Sequence, residues 1–152
     1  MSNNEYSTEV PHELVNCLDH VGIATADLDA TLEWYRTNMG WICHHVETNE
    51  EQGVQEAMVG PKTLTELQGM IQVLAPLNEK STIAKFLDKK GPGLQQMCLR
   101  TTDIDALCDH LRKQGTRLLY DEPKNGTAGA RINFVHPKDA SGVLLELTQP
   151  GK

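Results

Sequence analysis

Four polar side chains interrupt apolar, strand-like segments at positions that are related in pairs. His20 and Gln96 are 76 residues apart, and Gln72 and Glu146 are 74 apart. Strand alternation predicts that each points away from the apolar residues of its own segment. A single histidine in a strand is more often a hydrogen-bonded core residue than a ligand. Four nitrogen and oxygen donors at paired positions, however, suit a divalent cation.

Glu146 is the most demanding member of this set because it lies between Leu145 and Leu147. A carboxylate buried beside such neighbours is costly unless a partner compensates its charge. If each half of the chain supplies two of the four side chains to one cupped sheet, a cation between them would be that partner. The pattern therefore predicts a metal site formed by His20, Gln72, Gln96 and Glu146, in which Gln96 contacts the metal directly or through a metal-bound water.

The elements that would position these residues are repeated along the chain. A strand at 18–24 is followed by Asp27, a helix-capping residue, and by an amphipathic helix over 28–39. The same order restarts with a strand at 94–100 and a capping Asp103 before a second amphipathic helix. Further alternating segments are predicted as strands near 41–46, 54–59 and 70–75.

Internal similarity of this kind indicates a duplicated supersecondary unit. We therefore predict an α+β fold in which two paired βαβββ modules form a cupped sheet. The expected organisation is a flexible N-terminal tail over 1–15 and a single domain over 16–150, divided into module one at about 17–76, a linker helix within 77–92 and module two at about 93–149.

Composition narrows the classes of function. The chain has 152 residues and a formal net charge of −7, which argues against nucleic acid or an anionic membrane as a partner, since both attract basic surfaces. No apolar run approaches the roughly 18 residues of a membrane span. None of the four cysteines forms a C-x-x-C pair, which favours reduced thiols and a cytoplasmic protein.

Several segments closely resemble the methylmalonyl-CoA epimerase family of the vicinal oxygen chelate superfamily. The first strand is typical of the superfamily as a whole, and the later segments are more specific to the epimerases. The resemblance covers nearly everything after Cys17 and rests on LDHVGIA at 18–24, EQGV at 51–54, IQVLAPL at 71–77, STIAKFL at 81–87, YDEP at 120–123, HPKD at 136–139 and GVLLEL at 142–147.

The resemblance places His20, Gln72 and Glu146 on the family's metal-ligand positions. The chain departs from the family at the fourth position, where the common pattern Gly-Leu-His-His is replaced by a segment ending in Gln95 and Gln96. An amide oxygen binds borderline metals more weakly than an imidazole. We therefore expect one divalent ion, which could be cobalt, manganese, magnesium or zinc, with harder ions less affected by the change.

The resemblance also implies an activity and partners. Glu56 falls on a catalytic carboxylate position, and Glu146 would be the second catalytic carboxylate; without the resemblance, Glu56 would be interpreted as a solvated strand residue. The implied reaction interconverts the (R) and (S) forms of methylmalonyl-CoA through an enolate. The implied partners are a small-molecule acyl-CoA and a second copy of the chain in a homodimer. By composition alone, the candidates for binding CoA phosphates are Lys85, Arg131 and Lys138.

Two alternative functions remain open at this point. One is another enzyme of the superfamily, such as a glyoxalase or a dioxygenase. The dioxygenases normally need two histidines and one carboxylate, and the paired positions supply one histidine. The other is a non-catalytic binding protein with the same fold. Its aromatic-lined cleft is less compatible with an aromatic content of 5%.

Overall fold

The computed structural model describes residues 14–65 and 68–152. The predicted N-terminal tail lies outside the described residues except for Leu14, which is buried, and Val15, which begins the first strand. The backbone carbonyl of Leu14 accepts hydrogen bonds from the Thr101 hydroxyl and from the backbone N–H of Thr102. These contacts attach the start of the described chain to the middle of the sheet.

The described residues form eight strands and three α-helices. The first half contains β1 (Val15–Ala24), α1 (Leu28–Met39), β2 (Ile42–Asn49), β3 (Val54–Gly60) and β4 (Met70–Pro76). A connecting helix, α2 (Thr82–Lys90), precedes the second half, which contains β5 (Gly93–Thr101), α3 (Ile104–Lys113), β6 (Lys124–Asn125), β7 (Arg131–Val135) and β8 (Leu145–Gln149). The two βαβββ modules and the α+β class are confirmed, although β6 has only two residues.

The strands form one mixed sheet in the order β2-β3-β4-β1-β5-β8-β7-β6. The order is nearly symmetric: β1 and β5 are antiparallel neighbours at the centre, each beside the parallel last strand of its own module. Glu56 on β3 and Thr127 beside β7 lie towards opposite ends of this order, yet their side chains are 2.7 Å apart. The sheet is therefore curled into a half-barrel.

The same local chemistry begins the first helix of both modules. Asp27 accepts a hydrogen bond from the backbone N–H of Ala30, and Asp103 accepts one from Ala106. These side chains satisfy amide groups that have no partner within the helix. Gly40 then ends α1 with a left-handed φ of 66°, a conformation that glycine adopts at little cost.

Helices α1 and α3 cover one face of the sheet, while Ile83 of α2 packs at the end of the other face against Ala24, Val54 and Leu74. Leu28 of α1 packs with Ala57, Val59 and Val73, and Ile104 of α3 packs with Leu147. Strand alternation then turns the neighbours of these core residues to the inner face of the half-barrel. Those neighbours include Glu56, Gln72 and Glu146. Across residues 14–65 and 68–152, no helix has the length and apolar character needed to cross a membrane.

Candidate active site

The structure brings the four paired residues together at the centre of the half-barrel. They lie on four adjacent strands, β4, β1, β5 and β8, and all are buried, with exposures from 3% to 7%. One polar side chain from each central strand thus faces a common point; these residues, in strand order, are Gln72, His20, Gln96 and Glu146. We call them the central quartet.

Contacts within the central quartet are direct. The Gln96 amide donates to Gln72 Oε1 at 2.8 Å, and its Nε2 lies 3.4 Å from His20 Nε2. On the other side, His20 Nε2 lies 3.5 Å from Glu146 Oε2. The residues that are paired in the sequence are therefore also close in space, because each module supplies one residue to each of these contacts.

Gly22 makes this approach possible. It is the β1 residue that lies opposite both Gln72 on β4 and Gln96 on β5. A Cβ at position 22 would lie only 2.7 Å from Gln96 Cγ, a distance that real structures avoid. The missing side chain leaves the space through which Gln96 reaches across β1 towards Gln72.

Asp19 and Arg100 fix the orientation of His20. The His20 Nδ1–H donates to Asp19 Oδ1 at 2.7 Å, and Arg100 Nε donates to Asp19 Oδ2 at 2.7 Å. Burial by itself would lower the pKa of His20, but hydrogen bonds with Asp19, Cys98 and Glu146 outweigh it and raise the pKa to about 12. A site that holds a proton this strongly has the negative potential that a cation requires.

Asp19, His20 and Cys98 also form a group whose potential ligand atoms lie within 4.8 Å of one another. Two observations make this group a poorer metal site than the central quartet. Both Asp19 oxygens are already engaged, by His20 and Arg100. The Cys98 thiol is fully buried and donates to the Leu99 carbonyl oxygen at 3.8 Å. Asp19 is better described as a support that leaves His20 Nε2 facing the quartet.

The central quartet fits a divalent cation. Gln96 Oε1 is the one buried side-chain N or O atom among the described residues that has no hydrogen-bond partner. Half a turn of the Gln96 amide exchanges Oε1 with Nε2, so that the oxygen would face His20 Nε2 and Gln72 Oε1. Without a cation that arrangement is repulsive. With one, it would provide a nitrogen and three oxygen ligands, and the Gln96 oxygen would gain a partner.

Glu56 lies beside the quartet in a second hydrogen-bonded group. Its Oε2 accepts from the Gln72 amide at 3.0 Å, and its Oε1 accepts from the Thr127 hydroxyl at 2.7 Å. Burial, opposed by the Thr127 hydrogen bond and reinforced by the carboxylates of Glu47 and Glu146, raises the pKa of Glu56 to about 7. Such a carboxyl can both accept and release a proton near neutral pH.

A small cleft with an interior volume of about 70 Å³ opens onto these groups. Glu56 and Gln72 from module one and Gln96 and Glu146 from module two line it. The position of module two that corresponds to Glu56 is Ile132, because Glu56 pairs with Leu74 and Ile132 pairs with Thr148. The cleft therefore has a carboxyl group on one side and an apolar wall on the other.

Sequence patterns identified the quartet, but they gave no indication of Asp19, Thr127 or Glu47. Asp19 alone had an available signal, because it precedes His20 directly. Among the three basic candidates for CoA phosphates, Arg131 is held by Asp105 through two hydrogen bonds of 2.6 and 2.9 Å. Lys85 and Lys138 are not among the residues that line the described cleft.

Known proteins with similar sequences and structures agree with this geometry. Residues 19–134 match the model of the Glyoxalase/Bleomycin resistance protein/Dioxygenase superfamily. The ethylmalonyl-CoA/methylmalonyl-CoA epimerase of Cereibacter sphaeroides is 37% identical over 90% of this chain and 99% of its own length. The mitochondrial methylmalonyl-CoA epimerase of Homo sapiens is 35% identical over 87% of this chain and 73% of its own length.

Solved structures extend the agreement. The methylmalonyl-CoA epimerase of Mycobacterium tuberculosis superposes with a TM-score of 0.87 and 51% identity, covering 95% of both chains. A methylmalonyl-CoA epimerase in complex with methylmalonyl-CoA and NH4+ gives a TM-score of 0.85 and 44% identity, covering 90% of this chain and 96% of that one.

Fold, central site and family model together define a member of the Glyoxalase/Bleomycin resistance protein/Dioxygenase superfamily. Within it, the identities and coverages show that the chain belongs to the methylmalonyl-CoA epimerase family. The resemblance found in the sequence is therefore confirmed.

The role of Gly22 gives the first testable prediction. Gly22→Ala should displace Gln96, lower the free energy of unfolding by about 1–3 kcal/mol through overpacking, and weaken the binding of Mn²⁺ or Co²⁺. Denaturant unfolding and titration calorimetry measure the two effects. Gly69→Ala is the matched control, since a Cβ there would only meet the Leu18 carbonyl oxygen at 3.9 Å. Wild-type stability and metal affinity in Gly22→Ala would contradict the assigned role.

Proposed function

We propose that this protein interconverts the (R) and (S) forms of methylmalonyl-CoA, with one divalent cation held by His20, Gln72, Gln96 and Glu146. The observation that carries the proposal is that two carboxyl groups, Glu56 and Glu146, face one cleft beside a donor set that fits a cation. Membership of the epimerase family supports the substrate. The ion could be cobalt, manganese, magnesium or zinc.

The reaction requires a proton to leave the α-carbon on one face and another to arrive on the opposite face. A divalent cation bound by the central quartet would act as a Lewis acid that stabilises the negative charge of the enolate. Glu56 is suited to remove or return the proton on its side, because its pKa is raised to about 7 and its carboxyl is held by Thr127 and Gln72. Glu146 would serve the other face.

The surroundings of the cleft suit an acyl-CoA. A neighbouring depression shares Gln52 and Thr82 with the cleft and adds Lys80 and Lys124. These two ammonium groups could meet the phosphates of CoA at the surface of a protein whose net charge is −7.

The alternative functions are less compatible with the site. A dioxygenase site of two histidines and one carboxylate is not available in the central quartet, where His20 is the single imidazole. A non-catalytic binding protein with an aromatic-lined cleft is disfavoured because Phe134 is the one aromatic residue among the described residues lining this cleft. A glyoxalase would have to use the same cation with a different substrate, and the family membership favours the epimerase.

A homodimer and a cytoplasmic location are part of the proposal. Large apolar side chains are exposed on the described surface, among them Leu18, Trp34, Met39 and Leu94, with exposures from 45% to 70%. Such surfaces are typical of association sites. Sedimentation equilibrium should therefore give about twice the chain mass of 16.9 kDa, and a monomer mass at micromolar concentration would contradict the dimer. The cytoplasmic location stays a prediction.

Deuterium uptake at the α-carbon tests the proposed function directly. Glu56→Gln keeps the size of the side chain but removes the proton acceptor, so epimerisation should fall by about 10²–10⁴-fold. Exchange from the enantiomer served by Glu146 should survive. Glu33→Gln, on the exposed side of α1, is the control. Wild-type epimerisation in Glu56→Gln would reject Glu56 as the base. Full turnover after a chelator has removed all metal would show that the reaction does not need a cation.

Residue 96 tests the ligand set. Gln96→His would place an imidazole where the family usually has one, so the affinity for zinc and cobalt should rise more than that for magnesium and manganese. Titration calorimetry compares the wild type, Gln96→His and the neighbouring control Gln95→His. Equal affinities in wild type and Gln96→His would show that residue 96 does not contact the cation.

A further inference from the structure

The base assigned to module one is enclosed by protein. Glu56 is 4% exposed, and its two oxygens are occupied by Gln72 and Thr127. In each net turnover that begins with proton removal by Glu56, its carboxyl ends protonated and must lose that proton before the next turnover. The cleft is the direct way out, but substrate or product fills it while the reaction proceeds. A second path through the protein would remove this restriction.

A chain of proton-transfer groups leads from Glu56 away from the cleft. Glu47 on β2 lies directly opposite Glu56 on β3 in the antiparallel pairing, which places the two carboxyl groups side by side on one face of the sheet. Glu47 Oε2 lies 2.6 Å from His45 Nε2, one strand repeat further along β2. The His45 side chain is 39% exposed, so the chain begins at a buried carboxyl and ends in solvent.

The same turn that holds Glu56 also holds Glu47. Thr127 donates its hydroxyl hydrogen to Glu56, and the backbone N–H of Ala128 donates to both oxygens of Glu47 at 3.2 and 3.3 Å. Ala128 has a φ of 53°, in the left-handed region that non-glycine residues seldom adopt. A turn from module two thus fixes both carboxyl groups of module one. An ordinary surface ion pair between His45 and Glu47 would not need this support.

We propose that Glu47 and His45 form a proton relay that connects Glu56 with solvent while the cleft is occupied. After Glu56 has taken the α-proton, its O–H bond breaks and the proton moves to Glu47. The Glu47 carboxyl then turns about its Cγ–Cδ bond and gives that same proton to the unprotonated Nε2 of His45, and the resulting imidazolium releases its Nδ1 proton to water. No electrons are transferred, both carboxyl groups return to their starting state, and proton exchange of the imidazole with water restores its starting tautomer. Both residues act through Glu56, and the inference rests on the proposed function of that residue.

Chemical rescue distinguishes a relay from a structural role. His45→Ala should lower turnover by about tenfold, less than the roughly 10²–10⁴-fold loss on removing the base itself. Added imidazole should restore turnover in proportion to its concentration, at fixed pH and ionic strength. His44→Ala is the matched control, because His44 is on the same strand and its ring binds the Pro61 carbonyl instead. The same titration on wild type and His44→Ala corrects for any inhibition by imidazole.

Isotope exchange provides a second measurement that loss of packing would not imitate. The reaction is run in ordinary water with substrate that carries deuterium at the α-carbon. The enantiomer used is the one that Glu56→Gln no longer deprotonates. In Glu47→Gln the deuteron taken by Glu56 is retained and returns to the same carbon. Recovered substrate should therefore lose less label per epimer formed than in wild type. A structural role would lower label loss and epimer formation in parallel.

The outcomes separate the relay from the function on which it rests. Unchanged turnover and label loss in His45→Ala and Glu47→Gln, with Glu56→Gln inactive, would overturn the relay and leave the proposed base in place. Lower turnover without imidazole rescue and without a changed label ratio would also overturn the relay. Wild-type epimerisation in Glu56→Gln would instead overturn the assignment of the base. Rescue of His45→Ala together with retained label in Glu47→Gln is the result that the relay requires.

Discussion

The antiparallel pairing of β1 with β5 determines where every other part of the site can lie. The pairing joins the two modules through backbone hydrogen bonds. The spacing of neighbouring strands therefore sets the distance between the side chains that each module contributes to the inner face. Gly22 sits at the middle of this pairing, opposite one amide from each module. Because it has no side chain, Gln96 can extend across β1 and contact Gln72. The central quartet is therefore positioned as precisely as the strands that carry it.

The charged groups inside the half-barrel also determine the chemistry of the site. Asp19, Glu56 and Glu146 give the half-barrel a negative interior, and Arg100 balances only the part of it nearest to Asp19. Glu56 and Glu47 differ in acidity, because the pKa of Glu56 is raised to about 7 while the pKa of Glu47 is lowered. Burial opposes this lowering at Glu47, and hydrogen bonds from His45 and Ala128 outweigh it. Two neighbouring carboxyl groups can in this way take different roles at one pH.

The parts of the structure that follow a period could be predicted from the sequence, and those that depend on curvature could not. Helix α1 begins after Asp27 and ends at Gly40 as its capping residues indicate, and the quartet follows from strand alternation repeated in two modules. Thr127 meets Glu56 across 71 residues of sequence, from a short turn that carries no periodic pattern. That contact exists only because the sheet curls, and curling leaves little trace in the order of polar and apolar residues.

The pairing of Glu56 with Ile132 at equivalent positions has a consequence for stereochemistry. The backbone of the half-barrel is nearly its own image under a twofold rotation, so it gives a substrate no preferred direction. Direction comes from side chains, because Glu56 lies on one flank of the cleft and Ile132 lies at the equivalent place on the other flank. Exchanging the residue types at these two positions would move this carboxyl group to the opposite flank of the cleft while the fold stayed the same. A duplicated fold can thus acquire or reverse a difference between its two halves through the substitution of single residues.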